Sequence, residues 1–278
     1  MGTLEVRNLV KDFRVGHGFR RSRLRAVDDV SFTLEAGKTV ALVGESGSGK
    51  STVARTLARL ETPTSGEILL DGRPVSGSRT AMRAYRHDVQ MVFQDPFASL
   101  NPFHTVAHHL ERPLELHGVA RGRGAVAEQV AGLLERVSLT PADVYAAKRP
   151  HEMSGGQRQR VAIARALAPG ARFLVADEPV SMLDVSIRLG VLNLLACLQR
   201  EENLGVLYIT HDLATARHFS DEILVMYRGQ VVERGPSDQV ILDPQHAYTK
   251  TLLAAAPDPA RHGRLRDEVR AELAGERA

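Results

Sequence analysis

The sequence of 278 residues contains a single cysteine, Cys197. One cysteine rules out a disulfide within the chain and cannot supply a multi-cysteine metal site or an iron–sulfur cluster. We expect Cys197 to be a small core residue on an apolar helix. No apolar run approaches the roughly 20 residues that cross a bilayer, and residues 1–7 have no apolar signal core. The sequence therefore predicts a protein that is made and kept in the cytosol.

The chain also lacks a large excess of charge of either sign, since its formal net charge is only +3. One early stretch is nevertheless rich in arginine, with Arg20, Arg21, Arg23 and Arg25 close together. Such a cluster could bind nucleic acid or anionic lipid. We favour a solvated loop, because no aromatic platform or reading helix accompanies the arginines.

The hydrophobic pattern predicts an α/β protein. With 43% hydrophobic and 25% charged residues, the chain suits one large globular domain or one domain with an inserted sub-domain. Apolar runs predict strands at residues 4–10, 27–34, 39–43, 66–72, 89–93, 172–176, 206–210 and 223–226. Helical spacing predicts helices after residue 52 through Leu60 and at residues 127–137, 157–167, 187–200, 213–219 and 248–255. The alternation indicates a mostly parallel sheet covered on both faces.

The same pattern divides the chain. Residues 96–168 carry long helical patterns with few strand signals, which predicts a helical sub-domain inserted into a sheet domain of residues 1–240. Residues 241–278 form a C-terminal extension, and its charged tail from Asp258 onward is expected to be frayed or loosely helical.

A phosphate-binding loop is predicted at residues 44–52, which fit G-x-x-x-x-G-K-[ST] between a strand and a helix. The glycines let backbone N–H groups curl around phosphates, and the helix N-terminus adds partial positive charge. Lys50 is expected to reach the β- and γ-phosphates, and Ser51 to ligate Mg²⁺. The nucleotide-binding candidates of this loop are Gly44, Glu45, Ser46, Gly47, Ser48, Gly49, Lys50, Ser51 and Thr52.

Two carboxylates, Asp177 and Glu178, follow the apolar run at residues 173–176. Ligands of parallel sheets bind at the carboxyl ends of the strands, so both side chains are expected near the phosphates. We assign Asp177 to Mg²⁺, held through water. Glu178 is expected to orient an attacking water or to accept its proton, a role generally worth about 10²–10⁴ in rate.

A second anion site is predicted at residues 154–157, where a serine and two glycines precede a helix. The segment comprises Ser154, Gly155, Gly156 and Gln157. Together with the phosphate loop it resembles the ATP-binding-cassette (ABC) family, whose signature is LSGGQ; this chain has Met153 at the first position. The apolar exchange should be tolerated because serine and glycine atoms bind the phosphate.

The family resemblance implies more than the motifs themselves predict. It implies a P-loop fold with N-terminal antiparallel strands, a mainly parallel sheet and an inserted helical sub-domain. It also implies ATP and Mg²⁺ as ligands, and a dimer of cassettes in which Ser154 and Gly156 contact the ATP of the partner.

Further family motifs appear in order. Gln94 resembles the Q-loop glutamine that senses Mg²⁺ and the membrane partner, and Asp184 ends a variant of the SALD D-loop at the dimer interface. His211 resembles the switch histidine that contacts the γ-phosphate. Phe13 resembles the aromatic residue, usually tyrosine, that stacks on adenine. The resemblance thus implies Glu178, His211 and Lys50 as catalytic residues and Ser51, Gln94 and Asp177 as metal ligands.

Two separated segments resemble the oligopeptide, dipeptide and nickel permease ATPases: residues 93–102, an extended Q-loop, and residues 244–257, a C-terminal extension. This likeness implies ATP-driven transport, most often the uptake of peptides or a related small solute, at the cytoplasmic face of the cell membrane. The implied partners are a second ABC ATPase subunit, two transmembrane permease subunits and, indirectly, an extracytoplasmic substrate-binding protein. A heteromer is favoured over a homodimer, and residues 95–102 are the expected docking surface.

Alternatives remain open at this point. A soluble ABC ATPase acting on nucleic acid or ribosomes is disfavoured because such proteins generally carry two cassettes, coiled-coil arms or zinc modules, and no nucleic-acid partner is expected. A non-catalytic regulatory cassette is disfavoured because Lys50, Asp177, Glu178 and His211 are all present. The adjacent pair His108 and His109 is not expected to bind metal, since neighbouring helical positions do not share a face. We assign these two, with His87, His104 and His117, to surface or packing roles.

Overall fold

The computed structural model describes residues 2–15 and 22–255, apart from the side chain of Val185. A long hairpin opens the chain, formed by β1 (Thr3–Val15) and β2 (Ser22–Glu35). With β4 (Ser65–Leu70) and β5 (Arg73–Pro74) it forms a four-stranded antiparallel sheet in the order β2-β1-β4-β5. The strand and turn predicted at residues 66–72 agree with β4, but our interpretation of this strand as an edge strand is wrong, because β4 pairs with β1 on one side and β5 on the other.

The hairpin also corrects the interpretation of the arginine cluster. Arg23 and Arg25 lie within β2 rather than in a solvated loop. Their guanidinium groups lie 2.7 Å and 3.0 Å from the carboxylate of Asp12 on β1. Cross-strand ion pairs of this kind stabilise the pairing of two strands. Arg20 and Arg21 lie outside the described residues.

The second sheet is six-stranded, in the order β10-β9-β3-β8-β7-β6. Its strands are β3 (Thr39–Val43), β6 (Val89–Val92), β7 (Phe173–Asp177), β8 (Gly205–Thr210), β9 (Glu222–Tyr227) and β10 (Gln230–Pro236). β10 pairs antiparallel with β9, and the other neighbours are parallel. The predicted mainly parallel sheet is confirmed, whereas β10 carried no recognised strand signal.

Helices cover this sheet and form a block of their own between β6 and β7. The block contains α3 (Pro96–Ser99), α4 (Val106–His117), α5 (Arg123–Arg136), α6 (Ala142–Ala147) and α7 (Gly155–Leu167). The remaining helices are α1 (Lys50–Leu57), α2 (Arg79–Asp88), α8 (Val185–Glu201), α9 (Leu213–Phe219), α10 (Ser237–Leu242) and α11 (Ala247–Ala255). The helical sub-domain of the predicted fold is confirmed; the boundaries at residues 96, 168 and 240 stay predictions.

Two hydrophobic cores lie on opposite faces of the six-stranded sheet. Along β3, Ala41 and Val43 belong to the core under the helical block, while Val40 and Leu42 belong to the core under the antiparallel sheet. Successive side chains of a strand point to opposite faces, so a strand between two cores is apolar at every position. This explains the continuous apolar run in the sequence and fixes the strand end from which the phosphate loop leaves.

Two local predictions are wrong. The helix after the phosphate loop ends at Leu57, and Leu60 is exposed beyond it. Cys197 is only half-buried on α8, with its Sγ 3.2 Å from Glu201 Oε1. Among the described residues, no helix combines the length and the apolar character needed to cross a membrane.

Candidate nucleotide-binding site

The phosphate loop leaves β3 and turns directly into α1, as its sequence predicted. Two of its glycines, Gly44 and Gly49, are needed because other backbone lies against them. A Cβ atom on Gly44 would lie 2.2 Å from the carbonyl oxygen of Met226, and one on Gly49 would lie 2.2 Å from that of Ala26. Gly49 also has φ +109°, which side chains rarely allow. The loop is therefore held between β2 and the end of β9.

Lys50 begins α1 and folds back over the loop. Its Nζ donates hydrogen bonds to the carbonyl oxygens of Gly44 at 2.7 Å and Glu45 at 2.8 Å. The residue is 4% exposed, and burial lowers the pKa of its ammonium while the nearby carboxylates oppose that change. The N–H groups of the loop and this ammonium together form a site suited to an anion.

Ser51 and Asp177 meet at the end of β7. Ser51 Oγ donates a hydrogen bond of 3.1 Å to Asp177 Oδ1. Asp177 is buried, and that burial raises the pKa of its carboxyl, while the hydrogen bond from Ser51 opposes the shift. A hydroxyl and a carboxylate side by side are the oxygen ligands that Mg²⁺ prefers, so these residues fit the predicted metal.

Glu178 joins the ends of three parallel strands. Gln94, just beyond β6, donates from Nε2 to Glu178 Oε2 at 2.9 Å, and His211 Nδ1, just beyond β8, lies 3.4 Å from the same oxygen. The backbone N–H of Glu178 donates to Ile209 O at 3.0 Å, which continues the pairing of β7 with β8. The structure thus brings together the predicted residues Gln94, Glu178 and His211, although they are far apart in the sequence.

These groups face one open cavity of about 770 Å³. Its polar end is lined by residues of the phosphate loop with Gln94, Glu178 and His211, and its apolar part includes Phe13, Leu24 and Ala26. Phe13 lies opposite Leu24 in the register of β1 and β2, and Lys11 Nζ is 4.8 Å from the centre of its ring. The aromatic residue predicted to stack on a base therefore lies in the cavity.

Sequence reasoning missed some members of this cavity. Leu24 was not predicted because residues 20–25 were interpreted as a loop, and the register shift between Val30 and Val27 interrupts the strand alternation that leads back to it. Leu252, on α11, also lines the cavity, and the hydroxyl of Tyr248 accepts a hydrogen bond from the N–H of Glu45 at 3.1 Å. No local signal in the sequence indicates that contact, since 203 positions separate the two residues.

The signature segment, residues 154–157, lies apart from this cavity. Ser154 caps α7: its Oγ accepts from the N–H of Gln157 at 3.3 Å, and Gln157 Oε1 accepts from the N–H of Ser154 at 3.0 Å. Within the described chain, neither Ser154 and Gln157 nor the glycines Gly155 and Gly156 line the cavity. A Cβ on Gly156 would lie 2.5 Å from Ile187 Cγ2, so this glycine lets α7 pack closely on α8.

The remaining predicted residues lie outside the cavity, at exposed or half-buried positions. Asp184 is exposed and is the N-cap residue of α8, where its carbonyl accepts from the N–H of Ile187 at 2.9 Å. The rings of His104 and His108 stack with centres 4.1 Å apart, and burial lowers the pKa of His109. In the part of the chain that the structure describes, no three histidine, cysteine or acidic side chains are grouped to hold a metal ion.

Comparison with known proteins agrees with this architecture. The family model of the ABC transporter matches residues 27–181. The glutathione import ATP-binding protein GsiA is 48% identical over 264 residues in Escherichia coli strain K12 and over 265 residues in Salmonella paratyphi A. Each alignment covers 93% of this chain but 42% of the relative, so the chain spans less than half the length of these curated relatives.

Solved structures give the same result. The ATP-binding cassette MJ0796, a dimer in a post-hydrolysis state bound to ADP and Pi, has a TM-score of 0.73 at 30% identity and covers 84% of this chain and 98% of its own. The cbiO1 protein of Clostridium perfringens, part of the ABC transporter complex cbiONQ, has a TM-score of 0.74 at 25% identity and covers 95% and 98%. Since the family model matches more than half of its residues, the chain belongs to the ABC transporter family.

Proposed function

We propose that this chain binds and hydrolyses MgATP and thereby drives a transporter. The observation that supports this most is the position of the Glu178 carboxylate, 2.9 Å from Gln94 Nε2 and 3.4 Å from His211 Nδ1. This carboxylate and the phosphate loop line one cavity, at the strand ends where parallel sheets bind ligands.

In this proposal, the phosphate loop binds the β- and γ-phosphates of ATP. Backbone N–H groups of residues 47–52 and the ammonium of Lys50 supply positive charge at the start of α1. Lys50 then exchanges its bonds to the carbonyls of Gly44 and Glu45 for bonds to phosphate oxygens. Phe13 stacks on the base at the apolar part of the cavity.

Ser51 and Asp177 would hold Mg²⁺, with Gln94 beside them. When bound, the ion neutralises charge on the phosphates. The burial of Asp177 favours this role, because a carboxylate that is costly to leave ionised in a buried site gains most from a nearby cation.

Glu178 is the proposed base. Gln94 and His211 hold its carboxylate from two sides, so that it can orient a water against the γ-phosphate and accept its proton. Such a group is worth about 10²–10⁴ in rate. His211 also lines the cavity itself, where it is proposed to contact the γ-phosphate.

The signature segment is proposed to act on a second cassette. Ser154 and the glycines stand at the N-terminus of α7, a position suited to an anion, yet they do not line the cavity of their own chain. The MJ0796 cassette, with which this chain shares 30% identity, is dimeric in its solved structure. We therefore propose that Ser154, Gly155, Gly156 and Gln157 complete the ATP site of a partner cassette, with Asp184 at the interface.

Import of a small peptide is the proposed transport activity, since GsiA proteins are named for glutathione import. The proposal includes two transmembrane permease subunits next to the dimer at the cytoplasmic face of the membrane, with an extracytoplasmic binding protein beyond them. The proposed docking surface is residues 95–102, where Phe97 is 51% exposed and the neighbouring Phe103 is 83% exposed. Crosslinks from a cysteine at position 97 to the permease subunits test it, and crosslinks only from positions 22–25 would count against it.

The decisive experiment is Glu178→Gln. The variant should bind MgATP as tightly as the wild type, while ATP turnover falls by about 10²–10⁴. Glu128→Gln, at an exposed position on α5, is the matched control and should hydrolyse ATP at the wild-type rate. Unchanged turnover in Glu178→Gln would contradict the assignment of Glu178 as the base. A wild-type protein that binds no MgATP would contradict the proposed function as a whole.

A further inference from the structure

The C-terminal helix α11 packs against the phosphate loop. Tyr248 accepts the Glu45 N–H at 3.1 Å, and Leu252 lines the same cavity as Phe13 and Lys50. Residues four apart lie on one face of a helix, so a single face of α11 makes both contacts. The two residues on this face, Tyr248 and Leu252, are called the loop-facing pair below.

The start of α11 is held firmly in place. The carboxylate of Glu233, on β10, accepts hydrogen bonds from the backbone N–H groups of Gln245 at 2.6 Å and His246 at 3.0 Å. The N–H of Tyr248 in turn donates to His246 Nδ1 at 3.1 Å. A carboxylate at the N-terminus of a helix is favoured by the free N–H groups there. Tyr248 therefore meets the phosphate loop from a fixed position.

Tyr248 also links the loop to the turn between β9 and β10. Its ring centre lies 4.2 Å from that of Tyr227, the last residue of β9. Just beyond Tyr227, the N–H of Gly229 donates to Ser48 O at 3.0 Å. The turn thus holds the loop directly at Ser48 and, through the two tyrosine rings, at Glu45.

The chemistry of Tyr248 suits positioning rather than proton transfer. Burial raises the pKa of its hydroxyl, and the Glu45 carboxylate adds to that shift, while the bond from the Glu45 amide opposes it. The hydroxyl therefore stays protonated at neutral pH, where it can accept the amide hydrogen. Glu45 lies at the second position of the loop, so fixing its backbone limits the conformations available to the N–H groups that follow.

We propose that the loop-facing pair makes α11 a wall of the nucleotide site, with Tyr248 pre-organising the phosphate loop and Leu252 contacting the bound nucleotide. This inference rests on the proposed binding of ATP in the cavity. Tyr248 is a positioning residue that acts through the Glu45 N–H, and Leu252 is a binding residue; both act on the ground state and the transition state alike. Their loss should raise KM and leave kcat unchanged.

The test compares three variants of the full chain: Tyr248→Phe, Leu252→Ala and the control Leu253→Ala. Leu253 is half-buried on the same helix, but it lines a groove with Arg217 and Asp238 instead of the nucleotide cavity. Titration calorimetry with MgATP and MgADP should show about 2- to 10-fold weaker binding for Tyr248→Phe, the equivalent of one hydrogen bond. Leu252→Ala should weaken binding by a similar factor, and Leu253→Ala by less than about twofold.

Both leucine variants remove the same atoms from half-buried positions, so both should lower the Tm. Our proposal expects only Leu252→Ala to weaken MgATP binding. A purely structural role for α11 predicts instead that both leucine variants weaken binding equally. Hydrogen exchange gives a second readout: MgATP should slow exchange of the amides at residues 248–255 in the wild type and less so in Tyr248→Phe.

The outcomes separate cleanly. The proposal that α11 forms a wall of the site would be contradicted if Tyr248→Phe and Leu252→Ala both bind MgATP as tightly as the wild type. It would also be contradicted if Leu252→Ala and Leu253→Ala weaken MgATP binding equally. Absence of MgATP binding by the wild type itself would instead overturn the proposed function. If the substitution of only one residue of the loop-facing pair leaves MgATP binding unchanged, the proposal is wrong for that residue and stands for the other.

Discussion

The phosphate loop and the signature segment contain the same types of residue but have very different surroundings. Each is a run of serine and glycine that leads into a helix, α1 in one case and α7 in the other. Around the phosphate loop, side chains from the ends of β6, β7 and β8 converge on one cavity. Ser154 instead bonds within its own helix, to the N–H of Gln157. The same local arrangement thus has polar side chains from three other strand ends beside it at one place and lacks them at the other.

This difference indicates how far a single chain can complete its own site. Lys50, Ser51 and Glu178 line the cavity of this chain, whereas the signature segment does not. The proposed dimer explains the difference by assigning the signature segment to a neighbouring ATP. Substitutions in the two regions should therefore affect different steps: binding for the loop, and dimer closure with turnover for the signature.

Lys50→Ala should have the largest effect on the loop side of this comparison. Its ammonium makes two hydrogen bonds to loop carbonyls and is proposed to transfer them to phosphate oxygens. Bonds to charged groups contribute about 1.5–3 kcal/mol each, so MgATP binding should weaken by about 100-fold or more. Calorimetry measures this, with Lys38→Ala as the control, since the exposed Lys38 pairs with Asp221. Tight binding by the Lys50 variant would place the nucleotide elsewhere.

Ser154→Ala should separate the two regions. A single chain should bind MgATP as before, while turnover falls by about tenfold or more, the equivalent of one charge-assisted hydrogen bond. The substitution also removes a helix cap, which costs about 1 kcal/mol of stability. Ser78→Ala is the matched control, because Ser78 caps α2 through its own Oγ, which accepts from the N–H of Ala81 at 3.2 Å.

ATPase assays and light scattering with MgATP provide the measurements for these two serine variants. Ser78→Ala should lose similar stability and keep both turnover and dimer formation. If Ser154→Ala keeps full turnover, or if both serine variants lose it equally, the signature segment has no role beyond capping α7.

Gly156→Ala should show that the signature also has a purely structural requirement. The added Cβ would lie 2.5 Å from Ile187 Cγ2, so we expect a loss of about 1–3 kcal/mol in the free energy of unfolding. The double variant with Ile187→Ala should recover part of this loss, because the clashing methyl group is gone. Gly132→Ala is the control: its Cβ would meet nothing within 4 Å on α5, and alanine should stabilise that helix by about 0.5–1 kcal/mol. Urea unfolding measures all three, and equal stability of both glycine variants would contradict the clash.

What the sequence could predict follows from how each contact is made. The loop, Asp177 and Glu178 were predictable because strand ends of a parallel sheet bring local motifs together, and the family and fold class are confirmed. The pairing of Leu24 with Phe13 depends on strand register, which residues 20–25 alone do not reveal. The contact of Tyr248 with Glu45 spans 203 positions and depends on how α11 docks on β10, so no local pattern predicts it.

Asp177→Asn should have the smallest effect and the opposite sign. Burial raises the pKa of Asp177, so its ionised form destabilises the folded chain at neutral pH. A group with a raised folded pKa stabilises the fold only at low pH, and that stabilisation is lost as the pH rises through the folded pKa. Asparagine has nearly the same shape, can accept the bond from Ser51, and carries no charge.

Without Mg²⁺, the Asp177→Asn variant should therefore unfold at a higher temperature than the wild type at pH 7, with an advantage that shrinks as the pH falls toward the ordinary carboxyl pKa of about 4. Adding MgATP should reverse the order, because the wild type gains a metal ligand that the variant lacks. Thermal unfolding across this pH range, with and without MgATP, measures both. A variant that is less stable than the wild type at pH 7 without the ligand would show that the Asp177 carboxylate already stabilises the unliganded phosphate loop. The structure of this loop would then depend on neighbouring side chains more than the comparison with the signature segment implies.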